Sequence, residues 1–144
     1  MTRVAINGLG RIGRATLKIV LETPGLELVA VNDLTPADNL AYLLKYDSAY
    51  RRYGKRVDST ENGLLIDGRE FPVYSHKDPA ELPWKKERID LVFECTGIFT
   101  SREGMAKHIE AGARRVILSA PETSGEVSTV VHGVNSPDQP PQLI

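Results

Sequence analysis

The sequence predicts a single α/β domain: a mostly parallel sheet with helices on both faces and a small antiparallel meander inserted. Three observations predict it. Short continuous apolar runs, the texture of strands buried on both faces, alternate with segments of helical period. The switches fall at glycine or proline, as at Gly8 to Gly13, Pro24-Gly25 and Gly112. Between residues 56 and 75 the texture changes to short runs parted by Asn62-Gly63 and Asp67-Gly68, dipeptides typical of tight hairpin turns.

Each element follows in order. Arg3 to Asn7 reads as a first strand around Val4, Ala5 and Ile6. After the glycine turn comes a helix in which Ile12, Thr16, Ile19 and Val20 can share one face, and Pro24-Gly25 stops it. Leu26 to Val31 is a second strand, ending at Asn32-Asp33. Thr35-Pro36-Ala37-Asp38 starts a second helix, with threonine as cap and proline at the first helical position. Leu40, Leu43 and Leu44 give that helix a core face, and it ends near Tyr46-Asp47-Ser48. Arg56 to Ser59, Leu64 to Ile66 and Arg69 to Ser75 form the meander, and Pro72 places its last strand at a sheet edge.

The parallel texture then returns. Ile89 to Phe93 is a strand running into Glu94-Cys95-Thr96-Gly97. Thr100-Ser101-Arg102-Glu103 is a capping box for a helix reaching about Glu110, with Gly112 at its far end. Val116 to Leu118 is the next strand, ending at Ser119-Ala120-Pro121. Thr129 to Val134 reads as another, and Gln142 to Ile144 as the first residues of one more. Pro137 to Pro141 is the most loop-like stretch.

The opening carries chemistry. A strand, Gly8-Leu9-Gly10-Arg11-Ile12-Gly13, a helix, a second strand and then Asp33, 20 positions beyond Gly13, form the Rossmann-type dinucleotide-binding pattern. Gly8 permits the tight turn, Gly10 lets the backbone approach a pyrophosphate, and Gly13 permits close helix packing. The helix N-terminus offers N–H groups from about Arg11 and Ile12 to phosphate oxygens. Asp33 can accept from an adenosine ribose 2'-hydroxyl and would repel a 2'-phosphate, so the pattern favours NAD over NADP. A structural turn with no ligand is the competing reading. In an open α/β sheet, ligands bind beyond the carboxyl ends of the strands, which here also carry Cys95-Thr96-Gly97 and Ser119-Ala120. Thr96 and Ser119 read equally well as ordinary strand-end caps.

Composition narrows the function classes. The chain has 144 residues, too few for a two-domain enzyme, with 41% hydrophobic and 26% charged residues. Eighteen Lys+Arg against 19 Asp+Glu leave a formal net charge of -1, which argues against nucleic acid as a partner. A single cysteine, Cys95, excludes an internal disulfide, and the scattered His76, His108 and His132 have no metal-ligand spacing. No run suits a membrane span and the start lacks a signal peptide's apolar stretch, so a soluble, cytoplasmic chain is expected. Tyr50 to Arg56 is a basic, aromatic-interleaved patch, read as a solvated loop or subunit contact ahead of a phosphate or RNA contact. Trp84 reads as a loop anchor.

Together these residues resemble the NAD-binding domain of phosphorylating glyceraldehyde-3-phosphate dehydrogenase. The matching stretches are Asn7 to Arg14, Val31-Asn32-Asp33, Leu44 to Ser48 and Glu94 to Gly97. Further on, Ala111-Gly112-Ala113, Val116-Ile117, Ser119-Ala120-Pro121 and Gly133-Val134-Asn135 match, in family order. The resemblance implies that Arg11 and Ile12 hold the NAD pyrophosphate through their backbone, beside Gly8, Gly10 and Gly13, with Asn32-Asp33 at the adenosine ribose. It puts Lys77, before Asp78-Pro79, on the cofactor, Thr96 and Gly97 on the adenine side, and Ser119 nearer the nicotinamide.

It also implies a homotetrameric enzyme of glycolysis acting on glyceraldehyde 3-phosphate and phosphate through a cysteine thioester. That nucleophile stands in a Ser-Cys-Thr-Thr-Asn motif, with an activating histidine further on, and neither is among these residues. Residues 1–144 therefore read as the NAD-binding domain without its catalytic domain, expected to bind NAD without turnover. Cys95 stands at a different strand end and reads as a small packing residue. A stand-alone dinucleotide-binding module, or the same domain of an erythrose-4-phosphate dehydrogenase, are the alternatives. The resemblance further implies that a C-terminal helix of the whole chain covers the first helix, leaving apolar surface there without it. One departure is visible: where the family continues Tyr-Asp-Ser with a residue and His-Gly, near subunit contacts, this chain has Ala49-Tyr50-Arg51.

Overall fold

A computed structural model of the chain describes residues 1–136 and 141–144. Nine strands and three α-helices are formed among them: β1 (Thr2–Asn7), α1 (Arg11–Glu22), β2 (Leu26–Asn32), α2 (Ala37–Lys45), β3 (Tyr46–Asp47) and β4 (Arg51–Arg52). Then follow β5 (Val57–Ser59), β6 (Gly63–Ile66), β7 (Arg69–Tyr74), β8 (Leu91–Glu94), α3 (Arg102–Glu110) and β9 (Arg115–Leu118). Seven strands form one sheet in the order β5-β6-β7-β2-β1-β8-β9, and β3-β4 is a separate two-stranded ribbon. From β7 to β9 the neighbours are parallel, while β5, β6 and β7 pair antiparallel. The meander thus extends the parallel sheet at one side.

Alternation along β1 builds two cores. Val4 and Ile6 face α1 and α2, joining Leu17, Val20, Leu40 and Leu44. Ala5 and Ala30 face the other way, and their small side chains leave room for Trp84, Met105 and Val116 below α3. The chain runs outward from β1 to β2 and β7, then returns to place β8 on the other side of β1. That reversal opens a crevice at the carboxyl ends of β1 and β8.

Several local readings are corrected. The buried face of α1 is Gly13, Leu17 and Val20, whereas Ile12 and Ile19 are 55% and 64% exposed. Glycine hides this face from a hydrophobic count, because it packs through what it lacks. Thr35 does not cap α2: Pro36 holds the cap position, and the Thr35 N–H donates to Asp33 Oδ1 at 2.8 Å. Pro72 is not on an edge strand, because β7 lies between β6 and β2. Proline is tolerated there since β7 pairs with β2 only from Val73 onward.

The cap of α3 is Ser101, one residue later than the Thr100–Glu103 box, and its hydroxyl accepts from the Gly104 N–H at 3.1 Å. Thr129 to Val134 forms no strand: Asn135 folds that segment into a turn, bonding the Val131 N–H and the Thr129 carbonyl. The slot beside β9 goes instead to Leu143, parallel to Val116. Of the loop expected at Pro137 to Pro141, residues 137–140 lie outside the described residues.

The β3-β4 ribbon contains the sequence departure. Arg51 sits at φ 63°, in the left-handed region, at the place where the resembled family has glycine. Arg51→Gly is expected to stabilise the chain by up to about 1 kcal/mol, a rise of a few degrees in melting temperature. Parallel thermal melts check this, and an unchanged or lower midpoint contradicts it.

Candidate functional site

A cleft of about 500 Å³ lies at the carboxyl ends of β1, β2 and β8. Six of the expected residues line it: Gly8, Gly10, Asn32, Asp33, Lys77 and Thr96. Leu34, Ile98 and Phe99 add apolar walls, with His76 and Cys95 beside them. Gly13, Arg11, Ile12, Gly97 and Ser119 are not part of the lining. Gly13 is buried under α1, Arg11 and Ile12 are exposed at its start, and Gly97 turns the chain between Thr96 and Ile98 at φ 71°. Ser119 follows β9, its N–H donating to the Glu94 carbonyl at 3.0 Å.

The glycines differ in what surrounds them. A Cβ on Gly8, at φ 89°, would meet the Thr96 backbone N at 2.8 Å, so the β1 and β8 ends touch there. A Cβ on Gly13 would stand 1.9 Å from the Gly8 carbonyl oxygen, so α1 rests directly on the glycine loop. A Cβ on Gly10 would meet nothing within 4 Å. Open space at Gly10 adjoins the start of α1, whose cap makes no side-chain hydrogen bond and whose first turn carries no acidic residue. Free backbone N–H groups with a positive helix end and no competing anion suit a pyrophosphate.

Asp33 is held firmly. Its Oδ2 accepts from the Leu9 N–H at 2.7 Å and its Oδ1 from the Thr35 N–H at 2.8 Å. Each oxygen keeps a lone pair for a ribose hydroxyl. The donor set, the open cradle and the apolar walls fit an adenine dinucleotide.

Sequence motifs missed a buried polar chain beneath the cleft. Glu94, fully buried, accepts from Asn7 Nδ2 at 2.6 Å and His108 Nε2 at 2.8 Å, and from the backbone N–H and hydroxyl of Thr96. The Trp84 indole N–H donates to His108 Nδ1 at 3.0 Å. An indole nitrogen only donates, so Nδ1 accepts and the hydrogen-bond pattern assigns the proton to Nε2. The His108–Glu94 contact is therefore a neutral-donor hydrogen bond. Asn32 extends the chain: its Nδ2 donates to Asn7 Oδ1 at 2.7 Å and to the His76 carbonyl at 3.0 Å. Its Oδ1 accepts from the His76 N–H at 2.9 Å. Only a polar residue directly after an apolar run, Asn7 after Val4 to Ile6 and Glu94 after Leu91 to Phe93, could have signalled this.

Other candidates carry less. Burial raises the Cys95 thiol, outweighing hydrogen bonds from Ser119 and Thr16 that lower it, so its environment disfavours a thiolate nucleophile. No metal-binding cluster exists among the described residues, and no helix there is long and apolar enough to cross a membrane. The basic patch is partly neutralised, with Lys55 on Asp67 at 3.2 Å and Arg56 on Asp58 at 3.3 Å. A second hollow, about 630 Å³, lies between α1 and this patch, away from the strand ends.

The glycine loop, the latched Asp33 and the crevice at the strand reversal are the features of a dinucleotide-binding domain. The model of the glyceraldehyde 3-phosphate dehydrogenase NAD binding domain matches residues 2–102. The chain belongs to this family. It is 53% identical to glyceraldehyde-3-phosphate dehydrogenase of Mycoplasma pneumoniae over 92% of its own length and 40% of the relative's. For the Clostridium pasteurianum enzyme the identity is 48%, over 96% of the chain and 41% of the relative. For that of Thermotoga maritima it is 48%, over 99% and 43%. The chain thus spans about two fifths of these relatives' length. The cofactor of the glyceraldehyde 3-phosphate dehydrogenase domain is NAD.

Proposed function

We propose that residues 1–144 are the NAD-binding domain of a phosphorylating glyceraldehyde-3-phosphate dehydrogenase, and that by themselves they bind NAD without turnover. The observation that carries this is the open cradle at Gly10 beside the uncapped start of α1, with Asp33 fixed at the far side of the same loop. In this reading the backbone N–H groups of Arg11 and Ile12 hold the pyrophosphate, with Gly8, Gly10 and Gly13 shaping the approach. Asp33, beside Asn32, accepts from the adenosine ribose, and Lys77 contacts the cofactor from the segment after β7. Thr96 and Gly97 border the adenine, and Ser119 lies toward the nicotinamide. Bound NAD supplies the hydride acceptor for the aldehyde oxidation.

The family's nucleophilic cysteine motif is not among these residues, so no covalent chemistry is assigned to them. Glyceraldehyde 3-phosphate and phosphate are the substrates of the whole enzyme, a homotetramer in the cytoplasm. The similarity to relatives named for glyceraldehyde 3-phosphate favours this over the erythrose-4-phosphate reading. Exposed Ile12 and Ile19 fit a surface that further chain covers.

The test is calorimetry of the chain with NAD and with NADP. NAD is expected to bind at least ten times more tightly, because a 2'-phosphate would face the Asp33 carboxylate. Equal affinities would refute the role of Asp33. An assay with NAD, glyceraldehyde 3-phosphate and phosphate is expected to show no reduction, and turnover would overturn the division of labour.

A further inference from the structure

The polar chain beneath the cleft has a shape that packing alone does not require. Glu94 is a charge-bearing group at zero exposure, and no lysine or arginine pairs with it among the described residues. Such a group is costly to bury, and an apolar side chain of similar volume would often stabilise the core as well or better. Four donors offset the cost, and they come from two directions.

On one side both Thr96 donors bind Oε1, and the Thr96 hydroxyl then accepts from the Ile98 N–H at 3.1 Å. That sets the turn carrying Ile98 and Phe99 along one wall of the cleft. On the other side the chain passes through Asn7 and Asn32 to both backbone groups of His76, next to Lys77 on the opposite wall. One run of hydrogen bonds therefore crosses below the ends of β8, β1 and β2 and ends on both walls. Trp84 and His108 anchor it from the α3 side.

We propose that Glu94 is a positioning residue for the cofactor: through this chain it sets the separation of the two walls at the adenosine end of the cleft. The proposal rests on the reading of the cleft as the NAD site. Glu94 is fully buried and outside the cleft lining, so its effect passes through Thr96 and through the His76–Lys77 segment.

Glu94→Gln preserves shape and replaces one acceptor oxygen with an NH2 group. That group must face either the Asn7 and His108 donors or the Thr96 donors, so one half of the chain breaks. Calorimetry of the whole chain is expected to show affinity falling at least ten-fold for NAD and by the same factor for ADP-ribose, which lacks the nicotinamide. Exchange of the His76 amide, now bonded to Asn32, should accelerate. If wild type and variant bind both ligands alike, the positioning role is overturned while the NAD site stands. A loss for NAD with none for ADP-ribose overturns it too. If the wild type binds neither ligand, the NAD reading itself fails. Should Glu94→Gln not fold, Thr96→Val decides. It is expected to bind ADP-ribose several-fold more weakly and Thr96→Ser to restore binding, whereas wild-type affinity in Thr96→Val overturns the proposal.

Discussion

Gly13→Ala is expected to cost about 3 kcal/mol or more and to remove NAD binding along with the stability of the fold. The new methyl would sit 1.9 Å from the Gly8 carbonyl oxygen and 2.9 Å from its carbon. Both are backbone atoms, so no flexible side chain can swing aside. Relief requires α1 to lift from β1, withdrawing Leu17 and Val20 from the core they share with Val4 and Ile6. The same movement carries the helix start away from the cleft. Gly10→Ala is the matched control, since its methyl meets nothing within 4 Å. Its stability should stay within about 1 kcal/mol of wild type, while the methyl intrudes where phosphate approaches and affinity falls. Urea unfolding and calorimetry on both variants separate the two effects. A Gly13→Ala protein with a wild-type midpoint would refute the packing argument.

Trp84→Ala is the second large effect, expected at about 4 kcal/mol. Trp84 is fully buried and fills the space left by Ala5 and Ala30, so truncation opens a cavity between the sheet and α3. It also leaves His108 Nδ1 without its donor. Trp84→Phe separates the contributions. It keeps most of the ring volume and loses the indole N–H, so the expected cost is about 1–2 kcal/mol. Denaturant midpoints should rank wild type above phenylalanine and phenylalanine well above alanine. A phenylalanine variant as unstable as the alanine one would mean that the hydrogen bond outweighs the volume.

Much of the architecture was legible because periodic patterns and turn dipeptides act locally. The apolar run Val4 to Ile6, the Asn62-Gly63 and Asp67-Gly68 turns and Gly112 beyond α3 each act within a few residues of where they stand. The misreadings share a cause in long-range partners. Whether Pro72 lies at an edge depends on β2, some forty residues away in sequence. Whether Thr129 to Val134 pairs depends on Leu143 taking the slot beside β9.

The cleft residues on the glycine motif were legible because the motif fixes a turn, a helix start and an acid in one short unit. Glu94, His108 and Trp84 were not, because a lone glutamate in a strand, a helix histidine and a loop tryptophan acquire meaning only when brought together. Asn7 was visible as a residue and silent about its role until Glu94 and Asn32 were placed on either side of it.

Asp33 has a consequence for how nucleotide preference could drift in a lineage. Its two oxygens also fasten the glycine loop at Leu9 and the approach to α2 at Thr35. Replacing it with a small neutral residue to admit a 2'-phosphate would cut both tethers in one step. A switch of preference therefore has to pass through a loosened loop or be preceded by a substitute donor-acceptor pair. On the proposed reading, the residue that would discriminate between nucleotides is also a structural latch, and that double duty narrows the paths open to neutral change at this position.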